Sequence, residues 1–450
     1  MNTRKWLLVA GFAAISSASC IKVSINDGDN VPVTPTPTLT VLEGTIDKSV
    51  ALPKGKYTLK GYVYVNNGAI LTIEAGSVIV SDVTEKGALI IERGSKLIAD
   101  GRADAPIVFT SGKASGSRAQ GDWGGIILLG KAPTNRPTSP APIIEGGVNR
   151  PYGGTEPTDN SGILRYVRIE FSGIAAEPGS EINGLTLGGV GSGTILENIQ
   201  VSYGADDGFE FFGGTVNAKN LISFATFDDD FDFDFGYTGK IQYAVSLRDK
   251  PADTDQANGI ECDNDGSGTA ATPYTYPQLS NLTLIGPYDT TGSAATHGFS
   301  NRWRRATRFS IRNSILLGHR RAGFSIESAS AANDYKNGVS FFKNNIVAVY
   351  TKPYLLNDAG AQGVMTAAEM QAKAEAEGCT TIGNRDDVQL TDPFNLGVPN
   401  FLPKAGSPAA SGADFSSMDS WFTQGAFRGA FGTVNWTTGW TNFNPKVSTY

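Results

Sequence analysis

Two short stretches that alternate phenylalanine with acidic residues constrain the fold of this chain more than any other feature. They are "GFEFF" at residues 208–212 and "FDFDF" at residues 231–235. Alternation of apolar and polar residues is typical of a strand with one buried face and one face in solvent. A pattern that returns after roughly 20 to 30 residues indicates stacked repeats. The sequence therefore predicts a solenoid whose interior is lined by Phe209, Phe211, Phe231 and Phe233.

The same two-strand unit recurs along the chain. Its second strand appears again as "GIEC" at 259, "GFSN" at 298 and "GFSI" at 323. Its first strand begins with asparagine, a residue that tolerates a left-handed corner, at Asn198, Asn220, Asn281 and Asn313. Strands that recur without intervening helices stack in parallel about 4.8 Å apart. We therefore expect an all-β fold, a right-handed parallel β-helix, over residues 42–395.

Three segments depart from the repeat. Residues 131–161 are rich in proline, glycine and threonine and are predicted to form a long loop beside the stack. Thr366 and Glu369 make a capping box for one short inserted helix near 366–377. The aromatic and glycine-rich residues 396–450 are predicted to cap the last coil, because the open end of a solenoid must be protected.

The N-terminus predicts export. Residues 1–19 combine Arg4 and Lys5 with a short apolar run, which is typical of a signal peptide. The small residues before Cys20 indicate lipidation of that cysteine, which would anchor the protein to a membrane; a plain secretory signal is the alternative. Residues 20–41, with alternating Thr and Pro, are predicted to be the lipid anchor and a flexible tether. We expect an outer-membrane lipoprotein, on either the periplasmic or the surface side.

Charge and cysteine content narrow the partners. The net charge of −7 argues against nucleic acid as a partner. Besides Cys20, the chain has Cys262 and Cys379, which are either a disulfide pair, as export favours, or two separate buried thiols.

Several longer motifs resemble those of one protein family. They are "GDWGGIILLGKAP", "GILRYVRIEFSG", "GADDGFEFFGGTVNAKNL", "DDDFDFDFGYTGKIQYA" and "FRGAFG…NWTTGWTNFNP". The chain resembles a family of bacterial exported β-helix proteins, common in Bacteroidetes and largely uncharacterised, over nearly all of residues 42–450. Members are often lipidated or carry a C-terminal sorting domain. The sequence ends soon after the last motif, so the resemblance implies that Cys20 is the only anchor.

An acidic stripe is the main candidate site. With the repeat in register, Glu210, Asp232 and Glu261 stack on one outward face, where closely spaced like charges need compensation. Clustered aspartates supply the oxygen ligands that Ca²⁺ prefers. The predicted calcium ligands are Asp228, Asp229, Asp230, Asp232, Glu261, Asp263 and Asp265. No organic cofactor is expected.

Two other interpretations of the acids remain open. In the first, paired carboxylates cleave polysaccharide as acid and base, since "ADDGF" is similar to the paired aspartates of some β-helix polygalacturonases. The catalytic candidates are then Asp206, Asp207, Glu210, His297 and Arg302. In the second, the acids are solvated turn residues that keep the sheet from pairing with another.

Basic residues follow the acidic coils in "NRWRRATRFSIR". These arginines either pair with the acidic stripe across coils or form a cleft that binds a ligand. In the cleft, Trp303 would stack on a sugar while Arg302 and Arg305 hold an anionic group.

The sequence favours a non-catalytic envelope lipoprotein that binds a glycan or another surface component, with an outer-membrane transporter as a further partner. The alternatives are a polysaccharide hydrolase or lyase that uses the acidic stripe, and a structural or adhesive spacer that needs no pocket.

Overall fold

The computed structural model describes residues 40–177, 180–252 and 256–450. The predicted signal peptide, Cys20 and nearly all of the tether lie outside the described residues. The described part of the chain forms the predicted right-handed parallel β-helix, in which every pairing between successive coils is parallel. Each complete coil contributes one strand to each of three sheets, here called A, B and C.

Some strands turn a corner and belong to two sheets. Sheet A contains the second halves of Val41–Ile46 and Lys56–Val65, then Leu89–Ile91, Ile126–Leu129, Leu185–Gly188, Phe209–Phe212, Phe231–Asp234, Ile260–Cys262, Phe299–Trp303, Ala322–Ile326 and Lys352–Leu356. Sheet B contains Val50–Leu52, Ile70–Ile73, Lys96–Asp100, the first halves of Gly162–Glu170, Ile195–Ser202 and Asn217–Phe224, then Lys240–Gln242, Gln278–Ser280, Ser310–Arg312 and Phe341–Lys343. Sheet C contains the remaining halves of the five shared strands, with Val78–Ser81, Ile107–Ser111, Val245–Leu247, Thr283–Ile285, Ile315–Leu317, Ile346–Ala348 and Thr380–Thr381.

The alternating phenylalanines line the interior of sheet A, as predicted. Phe209 lies beside Phe231 and Phe211 beside Phe233 in register, and all four side chains are fully buried. Their rings stack along the helix axis, with centroids 5.3 Å apart in the first pair and 5.0 Å apart in the second. Because side chains alternate across a strand, the acidic residues between them face outward.

The predicted asparagine corners are also confirmed. Asn198, Asn220, Asn281 and Asn313 have φ of 55°, 59°, 57° and 54°, and each lies where the chain passes from sheet B to sheet C. Asparagine accepts this left-handed geometry at lower cost than most residues because its short side chain hydrogen-bonds locally.

Helices cover the apolar interior at the later end of the stack. Within the described residues the α-helices are α1 (Ala329–Lys336), α2 (Ala359–Gln362) and α3 (Ala367–Ala376). The predicted capping box of Thr366 and Glu369 starts α3, whereas α1 and α2 were not predicted. Their buried residues belong to the interior core, beside the side chains of the last coils.

The segment 396–450 was predicted to cap the last coil, and the structure places it elsewhere. It carries Asn400–Pro403, which pairs with Leu390–Asp392, and short 3₁₀ helices at Pro408–Ala410 and Pro445–Val447; a third such helix is Arg385–Val388. From there it runs back along the flank of the stack. Asp414 contacts Asn313, Thr423 contacts Gln242, Asn442 contacts Gln200, and Tyr450 contacts Glu170. Polar coil residues bind its backbone, so it is a strap along the side.

Candidate functional site

A pocket of about 440 Å³ lies on the outer face of sheet A. Its lining is almost entirely polar and mostly acidic. The lining residues are Glu145, Glu181, Asn183, Asp206, Asp207, Glu210, Asp228, Asp229, Asp232, Gln256, Glu261, Arg302, Arg304 and Arg305. This set is called the acidic pocket below.

The floor of the acidic pocket is a ladder of outward side chains on sheet A. Glu210 pairs in register with Asp232, Asp232 with Glu261, and Glu261 with Arg302. The predicted stacking of the three acids is therefore confirmed. The ladder exists because the interior phenylalanines fix the phase of each strand, and a slip of one residue would exchange the two faces.

One wall comes from the loops that enter two successive strands of sheet A. Asp206 and Asp207 lie in the earlier loop, and Asp228 and Asp229 lie in the next one. The loops are tied together because the Asp229 backbone N–H donates to Asp207 Oδ1 at 2.9 Å. They also approach closely at Gly208, where a Cβ would lie 2.8 Å from the backbone oxygen of Asp230, so only glycine fits there.

The rest of the acidic lining comes from two segments that the sequence did not point to. Glu145 belongs to the long loop 131–161, whose Ile144, Val148 and Tyr152 are buried on the outer face of sheet A. Asn183 donates a hydrogen bond to Glu210 and lies 3.4 Å from Glu145. The apolar residues on either side of Glu145 were the one signal that this loop docks on the sheet.

The carboxylates form three overlapping groups whose ligand oxygens lie within 4.8 Å of one another. The groups are Asp206–Asp207–Asp228, Asp207–Glu210–Asp232 and Asp229–Asp232–Glu261. Asp207 and Asp232 each belong to two of them, so the groups form one continuous row. Asp232 Oδ1 is buried and has no hydrogen-bond partner among the described residues. A donor set of carboxylate oxygens with one unpartnered buried oxygen fits a hard cation such as Ca²⁺.

Burial and mutual repulsion make these acids hard to ionise. Burial raises the pKa of Asp207 and of Asp232 well above the ordinary range, and neighbouring carboxylates raise both further. The same two causes raise the pKa of Asp206, Glu210 and Asp229. In the absence of a cation, these carboxyls therefore hold their protons to higher pH than carboxyls of the unfolded chain do.

This arrangement predicts an unusual dependence of stability on pH. Carboxyls whose pKa is raised by folding bind more protons in the folded state than in the unfolded chain, whose carboxyls titrate near about 4. The free energy of unfolding then falls as pH rises through the window above that value. We expect the melting temperature of the calcium-free protein to decrease from about pH 5 to about pH 8 in calorimetry. A melting temperature that increases across this window would contradict the assigned shifts.

Arginines close the later end of the acidic pocket. Arg302 donates to Glu261 at 2.8 Å and to Glu327 at 2.7 Å, and Arg304 contacts both Glu261 and Asp263. Arg305 donates to Asp263 at 2.9 Å while its side chain stays 43% exposed. The expected pairing of arginines with the acidic stripe across coils therefore holds for these three, and Arg305 is the most accessible of them.

Five residues of the predicted ligand-binding, catalytic and calcium sites do not line the acidic pocket. The prediction that Trp303 stacks on a sugar is wrong. Trp303 follows the outward-facing Arg302 on its strand, so its side chain points inward. It is fully buried against Phe309, with ring centroids 4.5 Å apart. His297 is buried away from the carboxylates and bonds Lys250 O. Burial and the nearby Arg248 lower its pKa to about 3, so it is a neutral structural residue.

Two of the predicted calcium ligands are satisfied elsewhere. Asp230 points away from the acidic pocket and pairs with Arg248 at 2.9 Å. Asp265 accepts hydrogen bonds from Ser267 and Thr269 in its own turn, which lower its pKa although burial opposes them. Asp263 pairs with Arg304 and Arg305 and belongs to none of the three carboxylate groups found among the described residues. The predicted acids that do meet in the three groups are Asp206, Asp207, Glu210, Asp228, Asp229, Asp232 and Glu261.

The structure decides between the two alternatives for the remaining cysteines, a disulfide pair and two separate thiols. Cys262 and Cys379 are both free and buried. Cys262 lies inside sheet A, where its thiol contacts Thr307 at 3.0 Å, whereas Cys379 lies just before the last strand of sheet C and contacts Phe342 O at 3.4 Å. They are two separate buried thiols.

Comparisons with known proteins place the chain in a family. None of the helices in the described residues is both long and apolar enough to span a membrane. No match was found among curated proteins. The crystal structure of pectate lyase Pel9A aligns with 85% of this chain and 87% of its own, at 13% sequence identity and a TM-score of 0.36. The family model described as "Pectate-lyase like beta helix domain" matches residues 44–441. The chain therefore belongs to the family of pectate-lyase-like β-helix domains.

Proposed function

We propose that this protein binds an acidic polysaccharide, a polyuronate, at the acidic pocket and that Ca²⁺ held by the pocket carboxylates mediates the binding. The observation that carries the proposal is the row of three carboxylate groups, joined by Asp207 and Asp232, in which Asp232 Oδ1 has no hydrogen-bond partner among the described residues. Membership in a family named for pectate lyases supports a polyuronate as the ligand, because pectate is one.

The charge of the acidic pocket explains why a cation would be required. Nine carboxylates face three arginines in the lining, and the arginines already contact acids. An anionic glycan would be repelled from such a surface unless the carboxylates were neutralised. Bound Ca²⁺ would supply positive charge and open coordination positions for glycan oxygens. Asp207 and Asp232, which share one group and each belong to a second, would be its central ligands. The exposed Arg305 would face a uronate carboxylate.

A second candidate function is cleavage of the same glycan. Buried carboxyls with raised pKa values can act as general acids, as in glycoside hydrolysis, and Asp207 and Glu210 are of this kind. Against elimination chemistry, no lysine or histidine is among the described residues that line the acidic pocket, and Arg304 is fixed by two acids. We therefore favour binding, with hydrolysis as the alternative. A purely structural spacer would not need a built pocket.

The cellular setting is part of the proposal. We infer from residues 1–41 that the protein is an exported bacterial lipoprotein of the Bacteroidetes type, attached to the outer membrane through lipid on Cys20. An envelope protein that holds an acidic glycan would serve an outer-membrane transporter by keeping the glycan near it.

The test uses protein lacking residues 1–20, mixed with a panel of neutral and acidic polysaccharides with and without Ca²⁺. We expect retention of polygalacturonate in affinity electrophoresis only with Ca²⁺, and loss of that retention in Asp207→Asn. Asp104→Asn is the matched control, because Asp104 lies in an exposed pair with Arg102 on a distant turn. New chain ends that depend on Asp207 would favour hydrolysis, and equal retention of every glycan with or without Ca²⁺ would contradict the proposal.

A further inference from the structure

A buried arginine lies behind the acidic pocket and lines no part of it. The side chain of Arg248 has no solvent exposure, and neither has that of its counter-ion Asp230. Asp230 also accepts hydrogen bonds from Ser223 at 2.7 Å and from Thr226 at 2.9 Å. A buried ion pair contributes little to stability by itself, so its retention calls for another reason.

Most hydrogen bonds of Arg248 go to the backbone of the pocket loops. Its Nη2 donates to Asp228 O at 2.7 Å and reaches Phe227 O and Thr226 O at 3.3 Å and 3.4 Å. Its Nη1 donates to Asn258 O at 2.8 Å. One guanidinium group therefore joins residues 226–228 to the loop of the next coil, which enters the strand that carries Glu261.

These two loops hold the carboxylates of one proposed cation group. The Asn258 backbone N–H donates to Asp229, and Asn258 Nδ2 lies 3.4 Å from Glu261 Oε2. Asp229 and Glu261 belong to the group that Asp232 completes. The positions of two of its three carboxylates thus depend on backbone atoms that Arg248 holds.

Only a planar group with several donors can make these contacts. Arginine presents five N–H donors in a fixed fork, whereas lysine offers a single ammonium on a flexible stem. The neighbouring His297 lies 3.4 Å from Arg248 Nε and accepts from it as a neutral ring.

We infer that Arg248 is a positioning residue for the acidic pocket: it fixes the two loops so that Asp229 and Glu261 converge with Asp232 on one cation. This inference rests on the proposed function, since it assumes that the acidic pocket binds Ca²⁺. Partners that orient metal ligands from outside the coordination shell typically change metal affinity by about 10- to 100-fold when they are removed.

Two variants separate positioning from charge. Arg248→Lys keeps the charge beside Asp230 but cannot bind both loops. The double variant Arg248→Met with Asp230→Asn removes the buried pair together, so that no unpaired charge remains in the interior. Glu170→Gln is the matched control, because Glu170 is equally buried beside Arg168 but lies at the strap, away from the acidic pocket.

Each variant is measured in two ways after circular dichroism has shown that it is folded. Calorimetric titration with Ca²⁺ gives the affinity, and hydrogen exchange without Ca²⁺ reports the opening of residues 226–230. We expect affinity to fall by about 10- to 100-fold in both Arg248 variants, with faster exchange at 226–230, and to stay near wild type in Glu170→Gln. Wild-type affinity and wild-type exchange in Arg248→Lys would overturn the inference. If the wild type binds no Ca²⁺, the proposed function fails. In that case, exchange at residues 226–230 that is unchanged in the Arg248 variants would by itself overturn the positioning role.

Discussion

Replacing Asp232 by asparagine will make the calcium-free protein more stable and will remove the stabilisation that Ca²⁺ gives to the wild type. Asp232 is in register with Glu210 and Glu261, and its buried Oδ1 has no hydrogen-bond partner in the part of the chain that the structure describes. Asparagine removes one of the crowded charges and offers an N–H₂ donor to the neighbouring carboxylates. The gain should be about 1 kcal/mol, the typical net contribution of a hydrogen bond made by a buried polar group.

Ca²⁺ should raise the stability of the wild type, whereas it should leave the stability of Asp232→Asn unchanged. A ligand that binds only the folded state at about 1,000 times its Kd stabilises that state by about 4 kcal/mol. Differential scanning calorimetry of both proteins, with and without Ca²⁺, measures the two effects together. Asp104→Asn should behave as wild type throughout, because Asp104 is exposed and remote. If calcium-free Asp232→Asn is less stable than wild type, or if Ca²⁺ still stabilises it fully, Asp232 is not at a cation site.

The second large effect concerns the interior stack. Phe233→Ala should lower the free energy of unfolding by about 3 to 5 kcal/mol, because it leaves a cavity in a fully buried column. The Phe233 ring stacks on Phe211 at 5.0 Å and on Tyr237 at 5.3 Å, so both neighbours lose contacts. Urea denaturation followed by circular dichroism measures the change.

Phe341→Ala is the matched control for the stack. Phe341 is only half-buried on the outer face of sheet B, beside Arg312 and Lys343. Its loss should cost about 1 kcal/mol or less, as is usual for residues near the surface. Equal costs for the two substitutions would mean that the phenylalanine column does not dominate the stability of these coils.

The period of two along each strand accounts for what the sequence could predict. It placed Phe209, Phe211, Phe231 and Phe233 inside and Glu210, Asp232 and Glu261 outside, and the structure has them so. The same rule, applied to "NRWRR", puts Trp303 inside once Arg302 faces outward. The prediction of a sugar platform failed because it relied on the residue type, tryptophan, and ignored the alternation of inward and outward positions along the strand.

Residues in loops follow no period of two, so the sequence did not show where their side chains point. Asp228, Asp229 and Asp230 are consecutive, yet the first two line the acidic pocket and the third pairs with the buried Arg248. Their directions depend on loop backbone that no periodicity sets. Glu145 and Glu181 reach the site from segments distant in sequence, so their contribution required the tertiary structure.

The cover of the later end of the stack shows a similar limit of prediction from the sequence. The need to cover an open solenoid end was predicted, but the segment chosen for it was 396–450. The structure covers the interior with α1, α2 and α3, whose alanines pack closely, and uses 396–450 as a strap bound by side chains such as Gln200 and Gln242. Composition identified both segments without showing which surface each would bury.

The most direct test of the central claim is an anomalous difference map from crystals grown with Tb³⁺, which takes the place of Ca²⁺ at oxygen-rich sites. We predict a peak in the acidic pocket in contact with carboxylate oxygens of Asp232 and of its partners in one of its two groups, which are Asp207 with Glu210 and Asp229 with Glu261. Carboxyls that bond only to one another and to Arg302, Arg304 and Arg305, with no peak among them, would contradict the cation site and the glycan binding built on it.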